Sequence, residues 1–530
     1  MGARRTGPRF LLWAALAGLV SGAVFLAAAE LVALIAARAA SPILAVGSFV
    51  IDIVPQPVKE FAIAAFGSAD KIVLLGSLGL AVAIASAIAG ILQYVRPHLG
   101  VAALVLAGLL SGAAIVTRAL AEPLSFLPPL AGTIAGSVIL IVLIRRLRAW
   151  RDEVSPAPDA GASASVGKPT EKRGLDRRAF FLTSAIAGAS AVIAGVAARA
   201  VSAATSSVDA IRGALRIPEP QSRVTIPEGA ELDVEGISPL YTPNDQFYRV
   251  DTALTVPTID PATWRLVVDG MVDQRIELSF DDLIGRGLDE YSITLTCVSN
   301  EVGGNLVGSA RWLGVPVRDI LALAGVQSGA DMVLSRSVDG YTASTPLASL
   351  TDEGTDAILA VAMNGEPLPL EHGFPVRMVV PGLYGYVSAT KWLTELKVTT
   401  FAQDEAYWTP RGYDAEAPIK FSSRVDTPKA GAPVPAGTVA IGGVAWAQTV
   451  GIERVEVQID DGDWQEATLS TAVNVDTWVQ WFLEWEAEPG THYVTVRAVN
   501  RDGEVQEQER APIAPNGSSG WQRTLVTVTG

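Results

Sequence analysis

The sequence predicts a chain in three parts: N-terminal transmembrane α-helices, a mixed α+β domain, and a C-terminal all-β sandwich. Three observations carry that prediction. Acidic residues are nearly absent before Arg145 and crowd the chain after Asp209, so a mean hydropathy of +0.34 coexists with a net charge of −15. The first part holds four apolar runs of membrane-crossing length. The last part turns to short alternating strands set off by turn residues. At 530 residues the chain is too long for one ordinary domain. Its acidic portion leaves nothing basic to neutralise phosphates, which excludes nucleic acid as a partner. The single cysteine permits no internal disulfide. That does not settle the compartment, because a protein exported already folded needs none.

Residues 1–150 read as the membrane part. Arg4, Arg5 and Arg9 precede an apolar run from Phe10 to about Ala37, interrupted by Glu30. Such a run can cross a hydrocarbon core of roughly 30 Å. Further runs at Ile72 to Val95, Val101 to Leu120 and Leu127 to Ile144 bring the spans to four. Between the first two, Ser41 to Phe66 is apolar but broken by Asp52, Pro55, Pro57, Lys59 and Glu60, and reads as an interfacial or re-entrant connection. The N-terminal arginines, Arg96 and the cluster Arg145, Arg146, Arg148 and Arg151 all fall on one side, which the positive-inside rule makes cytoplasmic. Only His98 of the three histidines lies here, so an intramembrane bis-histidine haem is not expected. The spans serve as an anchor in membrane lipid or as a docking surface.

Residues 151–175 form a cytoplasmic linker, rich in Pro, Ala, Gly and Ser from Ser155 to Lys172. In 176–205, Arg177 and Arg178 precede Ala179-Phe180-Phe181-Leu182 and a weakly apolar stretch to about Ala204. Paired arginines there resemble a twin-arginine export signal; by spacing alone they equally fit the flank of a fifth span, and export of an already folded domain favours the signal. Both readings send the chain after Ala204 to the extracytoplasmic side of the plasma membrane. Cleavage near Val201 to Ala203 stays open.

Residues 206–417 mix strands and short helices without the βαβ rhythm of a dinucleotide fold, and no Gly-x-Gly-x-x-Gly follows a strand. The most informative stretch runs from Thr294 to Asn305. Ile293, Leu295 and Cys297 alternate with Thr294 and Thr296, so a strand aims the sulfur at a buried face before a glycine-rich loop. A thiolate there can ligate a metal. The same pattern also describes a small core hydrophobe.

Three blocks then carry a resemblance: Cys297-Val-Ser-Asn300, Ser309-Ala-Arg-Trp-Leu-Gly314, and Met363 to Gly382 with its closing Lys391-Trp392-Leu393. Together they resemble the sulfite oxidase family of molybdenum enzymes. The resemblance implies an α+β sulfite-oxidase-type molybdopterin domain in which Cys297 binds molybdenum directly. It implies Mo-pterin contacts from His372, Arg377, Thr390 and Lys391, from Asn300, and from the segment Phe247-Tyr248-Arg249, whose arginine faces the metal site. Trp408-Thr-Pro-Arg-Gly-Tyr413 matches a segment whose tyrosine lies beside the metal oxo group, with Tyr341, Tyr384 and Tyr386 as weaker candidates. The implied catalytic set is Cys297, Arg249 and Tyr413. The chemistry is consistent, since a pterin phosphate suits Arg, Lys and His donors.

Departures from the family pattern are equally specific. Val250-Asp251 replaces Asn-His after the arginine, and Glu301-Val302 replaces two arginines after Asn300. The segment from Tyr384 to Thr390 is a residue longer and lacks an arginine. An acid for a base in a partly dry pocket costs an anion roughly several kcal/mol, which disfavours sulfite as the physiological substrate.

In 418–530, Val439 to Trp446, Val455 to Ile459, Trp478 to Trp485, His492 to Val499 and Trp521 to Val528 alternate as strands, with Asp461-Gly462 as a hairpin turn pair. The pattern fits an immunoglobulin-like β-sandwich, similar to the family's dimerisation module, so a homodimer is allowed. The expected function is oxygen-atom transfer on a small-molecule substrate outside the membrane, with electrons leaving to a separate carrier. A reductase of sulfoxides or other oxides is the alternative on the same fold. From another class, the rival is a non-catalytic membrane interaction or assembly protein with a vestigial cofactor fold.

Overall fold

The computed structural model describes residues 8–36, 46–47, 54, 70–116, 124–154, 175–204, 207–253 and 255–530. Arg4, Arg5, nearly all of Ser41 to Phe66 and the linker from Ser155 to Lys172 lie outside them. The chain divides into two compact units, Met1–Ser207 and Val208–Gly530.

The first unit is helical: α1 (Pro8–Ala36), α2 (Asp70–Val95), α3 (Leu99–Val116), α4 (Leu127–Val154) and α5 (Leu175–Ala204). Among the described residues, four helices are long and apolar enough to cross a membrane, over Pro8–Ala33, Val73–Val95, Leu99–Val116 and Leu127–Asp152. These are the four expected runs. The fourth helix continues past Ile144, because its arginines sit on the last turns rather than ending them. Small residues let the backbones meet: a Cβ on Gly18 would strike the Ser86 carbonyl, and one on Gly90 the Ala14 carbonyl. Leu80, Leu106, Leu109 and Leu110 point outward, as lipid-facing positions do.

One end of this bundle gathers the arginines. Arg148 donates to the carbonyls of Gln93 (2.5 Å) and Tyr94 (2.9 Å), joining the ends of α4 and α2. Trp150 meets Phe10 at 5.3 Å, bringing in the start of α1. The start of α5 docks at the same end, with Phe180 fully buried, Phe181 edge-on to Trp13 at 4.9 Å, and Arg146 donating to the Ala179 carbonyl at 2.9 Å. Farther along, Val24 to Leu31 of α1 line a groove with Thr183 to Ala191 of α5. The two helices therefore run parallel, and α5 ends away from the arginines.

Helix α6 (Ser207–Ala214) leads from the boundary into the second unit, which holds four sheets among the described residues. Strands β1 (Arg265–Gly270), β2 (Ile276–Ser279), β5 (Met332–Ser337), β6 (Thr342–Pro346) and β10 (Leu393–Thr399) make the first, in the order β2-β1-β10-β5-β6. At the end of β2, Ser279 and Asp282 form a reciprocal capping box that starts α7 (Phe280–Ile284). The second sheet runs β3 (Asp289–Thr296), β4 (Val307–Pro316), β7 (Ile358–Met363), β8 (Glu366–Pro367), with β9 (Arg377–Val379) pairing β7. A core that includes Trp264, Leu266, Leu359, Val376 and Leu396 fills the space between them.

The remaining strands build two further sheets. Strands β11 (Ser422–Thr427), β13 (Gly437–Trp446), β17 (Val479–Ala487) and β16 (Thr468–Leu469) form one. Strands β12 (Pro433–Pro435), β19 (Gln522–Thr529), β18 (Gly490–Asn500), β14 (Ile452–Ile459) and β15 (Trp464–Glu466) form the other. Ile441, Trp481, Val455, Val496 and Val526 from both sheets share one core, each worth very roughly 1.5–3 kcal/mol of burial. The hairpin turn sits one residue earlier than expected. Asp460 and Asp461 take positive φ (52° and 60°), and the Gly462 N–H closes onto the Ile459 carbonyl at 2.9 Å. Aspartate tolerates the left-handed region, so glycine is not needed at the second corner.

Candidate functional site

Cys297 is the first residue past β3, whose register with β4 pairs Thr296 with Val307. The loop after it is closed by its own atoms. Cys297 N–H donates to the Leu306 carbonyl (2.9 Å), Asn300 N–H to the Cys297 carbonyl (3.0 Å), and Leu306 N–H to Asn300 Oδ1 (2.9 Å). A Cβ on Gly304 would stand 2.7 Å from that same Oδ1, so the glycine is what lets the asparagine fold inward. Cys297 is 8% exposed. Burial pushes the thiol pKa up, while the Ser299 N–H, 3.4 Å from Sγ, and the charge of Lys391 pull it down.

Basic side chains lie beside it. His372 closes a short 3₁₀ turn, Leu370–His372, that ends on Gly373 at φ 110°, a conformation open to glycine. Its Nε2 lies 3.1 Å from the Asn244 carbonyl, and burial, with Arg377 and Lys391 adding, lowers its pKa to about 4. The imidazole is therefore neutral near pH 7. Arg377, on β9, is 5% exposed. Its contacts are all to carbonyl oxygens and all long: His372 at 3.3 Å, Met378 at 3.4 Å and Ala389 at 3.5 Å. Its guanidinium lies 5.1 Å from the Trp312 ring, and burial lowers its pKa to about 10. Among the described residues no carboxylate pairs with it. Lys391 donates to Asp251 (2.8 Å) and the Glu371 carbonyl (3.0 Å), and burial lowers its pKa to about 8 against the pull of Asp251.

Asp251 also accepts from Arg249 Nε at 2.8 Å, so Arg249, Asp251 and Lys391 form a chain from surface to interior. Arg249 is the exposed end, at the rim. Asp251, which in the sequence stands out only as a departure, is the carboxylate that holds the chain together; an acid two residues from Arg249 is the signal for it. Phe247 stacks on Tyr248 (5.2 Å) and lies edge-on to Trp312 (5.8 Å) and His372 (5.6 Å). Gly308 makes room for it, since a Cβ there would come within 2.9 Å of the ring. Thr390 is fully buried with its hydroxyl 2.7 Å from that of Ser335, and its carbonyl accepts from Met378 N–H at 2.9 Å. It braces the wall through β5 and β9.

The tyrosines separate into two groups. A charge on Cys297 raises the pKa of Tyr248, Tyr341 and Tyr384, after burial, which places all three within electrostatic reach of the sulfur. Tyr413 is buried one step away, packed on Tyr386 (5.5 Å) and Trp408 (5.3 Å), while Tyr407 links Trp408 back to Tyr341 at 5.7 Å. Glu301 is exposed. Water solvates its charge, so the penalty on an anion expected from this acid is much reduced.

The donor set fits a phosphate-bearing organic cofactor. A buried guanidinium with only long carbonyl contacts is an uncompensated charge, and leaving one so costs about 3–5 kcal/mol. A phosphate beside Arg377, His372 and Lys391 removes that cost, and the thiol provides a soft metal ligand at the same place.

Comparison with known proteins gives the family and the cofactor class. Residues 253–408 match the family described as oxidoreductase molybdopterin binding domain. The mitochondrial sulfite oxidase of Mus musculus is 33% identical over 349 residues, covering 56% of this chain and 63% of that protein. The sulfite oxidase of Gallus gallus is 30% identical over 322 residues, covering 51% of this chain and 69% of its own length. The chain thus spans somewhat less than two thirds of the mouse relative. Among solved structures, the sulfane dehydrogenase SoxCD from Paracoccus pantotrophus aligns with a TM-score of 0.49 at 22% identity, covering 57% of this chain and 86% of that one.

Proposed function

We propose that this chain, which belongs to the sulfite oxidase family of molybdopterin-dependent oxidoreductases, is membrane-anchored and moves an oxygen atom to or from a small substrate on the extracytoplasmic side of the plasma membrane. The Mo-pterin cofactor supplies the metal that exchanges the oxygen atom and takes up or gives the electron pair. Cys297 holds that metal as a thiolate. Its buried thiol loses a proton on binding, and Lys391 and the Ser299 N–H favour the charged form. Arg377, His372 and Lys391 hold the phosphate and pterin, with Phe247 and Tyr248 as an apolar wall and Thr390 and Asn300 keeping the backbone in place. Arg249 at the rim draws in and orients the substrate. Tyr413, packed behind on Tyr386 and Trp408, would supply a phenol hydrogen bond to orient the substrate oxygen, and electrons would pass to a separate carrier.

The observation that carries this reading is Arg377, buried with no carboxylate partner among the described residues and sharing the neighbourhood of Tyr248 with Cys297. The test is molybdenum and pterin analysis of the purified full-length protein, followed by turnover of sulfite, S-oxides and N-oxides with a dye as electron carrier. Stoichiometric molybdenum and turnover of one class are expected; metal-free protein after growth with ample molybdate sinks the reading. The loss of two arginines after Asn300 favours an oxide reductase as the second reading, and the same screen separates the two.

The helical unit supports the rest. Arginines share one end and α5 runs parallel to α1, which suits a retained fifth helix whose last residue, Ala204, lies away from the arginines. An uncleaved chain whose C-terminal alkaline phosphatase fusion is active outside the cell is the expected result. The two facing C-terminal sheets suit an immunoglobulin-like module that pairs with its copy in a homodimer, which sedimentation of the detergent-solubilised protein tests.

A further inference from the structure

Strand β3, which delivers Cys297, is the outermost strand of its sheet. Its outer edge carries backbone groups that no neighbouring strand satisfies, and such an edge must be covered some other way. Ser222 covers its first end, where Glu290 N–H donates to the Ser222 carbonyl at 3.0 Å, and the C-terminal sandwich covers the end that leads to Cys297. Thr294 N–H donates to the Asp476 carbonyl (2.9 Å), and Gln448 Nε2 donates to the Thr294 carbonyl (2.5 Å). Asn474 Nδ2 and Thr477 Oγ1 both donate to the Ser292 carbonyl at 2.9 Å, and Trp478 N–H donates to the Thr294 hydroxyl at 2.9 Å. The same module holds the loop after the cysteine. Ser518 Oγ donates to the Asn300 carbonyl (2.7 Å), Arg424 Nη1 to the Gly304 carbonyl (2.9 Å), and Gln522 packs so close to Gly303 that a Cβ would stand 2.8 Å from it. The contacts at the edge are buried: Gln448, Asp476, Thr477 and Trp478 are 8%, 6%, 5% and 2% exposed.

We propose that Gln448, Ser518 and Arg424 are positioning residues for the Cys297 sulfur, so that the C-terminal sandwich forms half of the scaffold that fixes the metal ligand. This rests on the reading of Cys297 as that ligand. Neither the strand before the sulfur nor the loop after it can shift without breaking bonds to the sandwich. A metal ligand must be held to within about half an ångström, and the partners of its backbone are what hold it. The sandwich acts on the site from the far side of the strand, without touching the substrate.

The single cysteine makes the test clean, because every thiol signal comes from Cys297. Full-length protein is prepared cofactor-free, and the native-state alkylation rate of the thiol is followed by mass spectrometry. Gln448→Ala and Ser518→Ala are expected to raise that rate about tenfold by freeing local opening, and Ser518→Thr to restore it. Val455→Ala is the control: Val455 is fully buried in the core between the two C-terminal sheets and, among the described residues, makes no bond to β3 or its loop. It should lower the melting temperature and leave the labelling rate at the parent value. In metal-loaded protein, Gln448→Ala and Ser518→Ala shift the Mo(V) electron paramagnetic resonance signal while Val455→Ala does not. Parent-like labelling in Gln448→Ala and Ser518→Ala, or equal acceleration in Val455→Ala, overturns the proposal. If Gln448→Ala does not fold, Ser518→Ala, on a partly exposed hydroxyl, decides alone. Labelling that is equally fast in metal-loaded and cofactor-free parent defeats the ligand reading instead, and leaves the comparison of variants standing.

Discussion

Arg377 and Arg424 are buried almost alike, 5% and 8% exposed, yet the chain treats them in opposite ways. Arg424, where the sandwich meets the cysteine loop, is fully partnered: Asp426 at 2.6 Å, the Ser238 hydroxyl at 2.8 Å and the Gly304 carbonyl at 2.9 Å. Arg377, on the pterin-side wall, has only long bonds to carbonyls and the face of Trp312. Burial alone therefore does not mark a binding residue. What marks it is a charge the fold has buried and not neutralised, because that charge gains most from an incoming anion.

The largest effect is expected at the atom on which the two regions converge. Cys297→Ser should abolish turnover and leave the melting temperature within a few degrees of the parent, since a buried thiol and hydroxyl differ little in size; full activity in that variant would refute the metal-ligand assignment.

The two arginines test the comparison itself. In cofactor-free protein, Arg424→Met should cost about 3–5 kcal/mol in chemical denaturation, because it strands the buried Asp426. Arg377→Met should be neutral or stabilising by up to about 1–4 kcal/mol, since it removes an uncompensated charge, while abolishing pterin retention. Equal destabilisation by both would break the distinction drawn here.

Tyr413→Phe keeps the ring packed against Tyr386 and Trp408 and removes only the hydroxyl. A fall in kcat of about 10²-fold without a change in melting temperature is expected, and an unchanged kcat removes the residue from the catalytic set.

The smallest effect belongs to Asp476, whose carboxyl accepts from Thr449 N–H at 3.1 Å beside the covered edge of β3. Burial raises its pKa to about 6. A carboxyl raised in the folded state favours folding only while protonated, so its contribution is full below about pH 4 and is lost as pH rises through about 6. Asp476→Asn should therefore gain about 1–3 kcal/mol at pH 7 relative to the parent and nothing below pH 4. A gain that does not vary with pH would assign the effect to packing.

Much of the site was legible because it is written in contiguous residues. The blocks at Cys297, His372 and Lys391 name a cofactor class, and they lie on one wall, linked by Arg377 and Asp251. The alternation of Ile293, Leu295 and Cys297 implies one buried face, yet Thr294 and Thr296 on the other face are 0% and 2% exposed. The sandwich covers them, and no residue near Thr294 in the chain announces it. Glu301 shows the reverse failure: its type suggested a charge facing the pocket, and its exposure leaves it in water.

By itself, the sequence determined the four apolar helices, the β-rich C-terminal part and the class of cofactor, because apolar length, alternation and short motifs are properties of neighbouring residues. Only the tertiary structure decided which buried cation goes unpaired and which segment guards the edge of the cysteine strand. Those outcomes depend on groups as distant as Ser292 and Thr477, 185 positions apart, whose hydroxyls meet at 2.7 Å only after both sheets have formed.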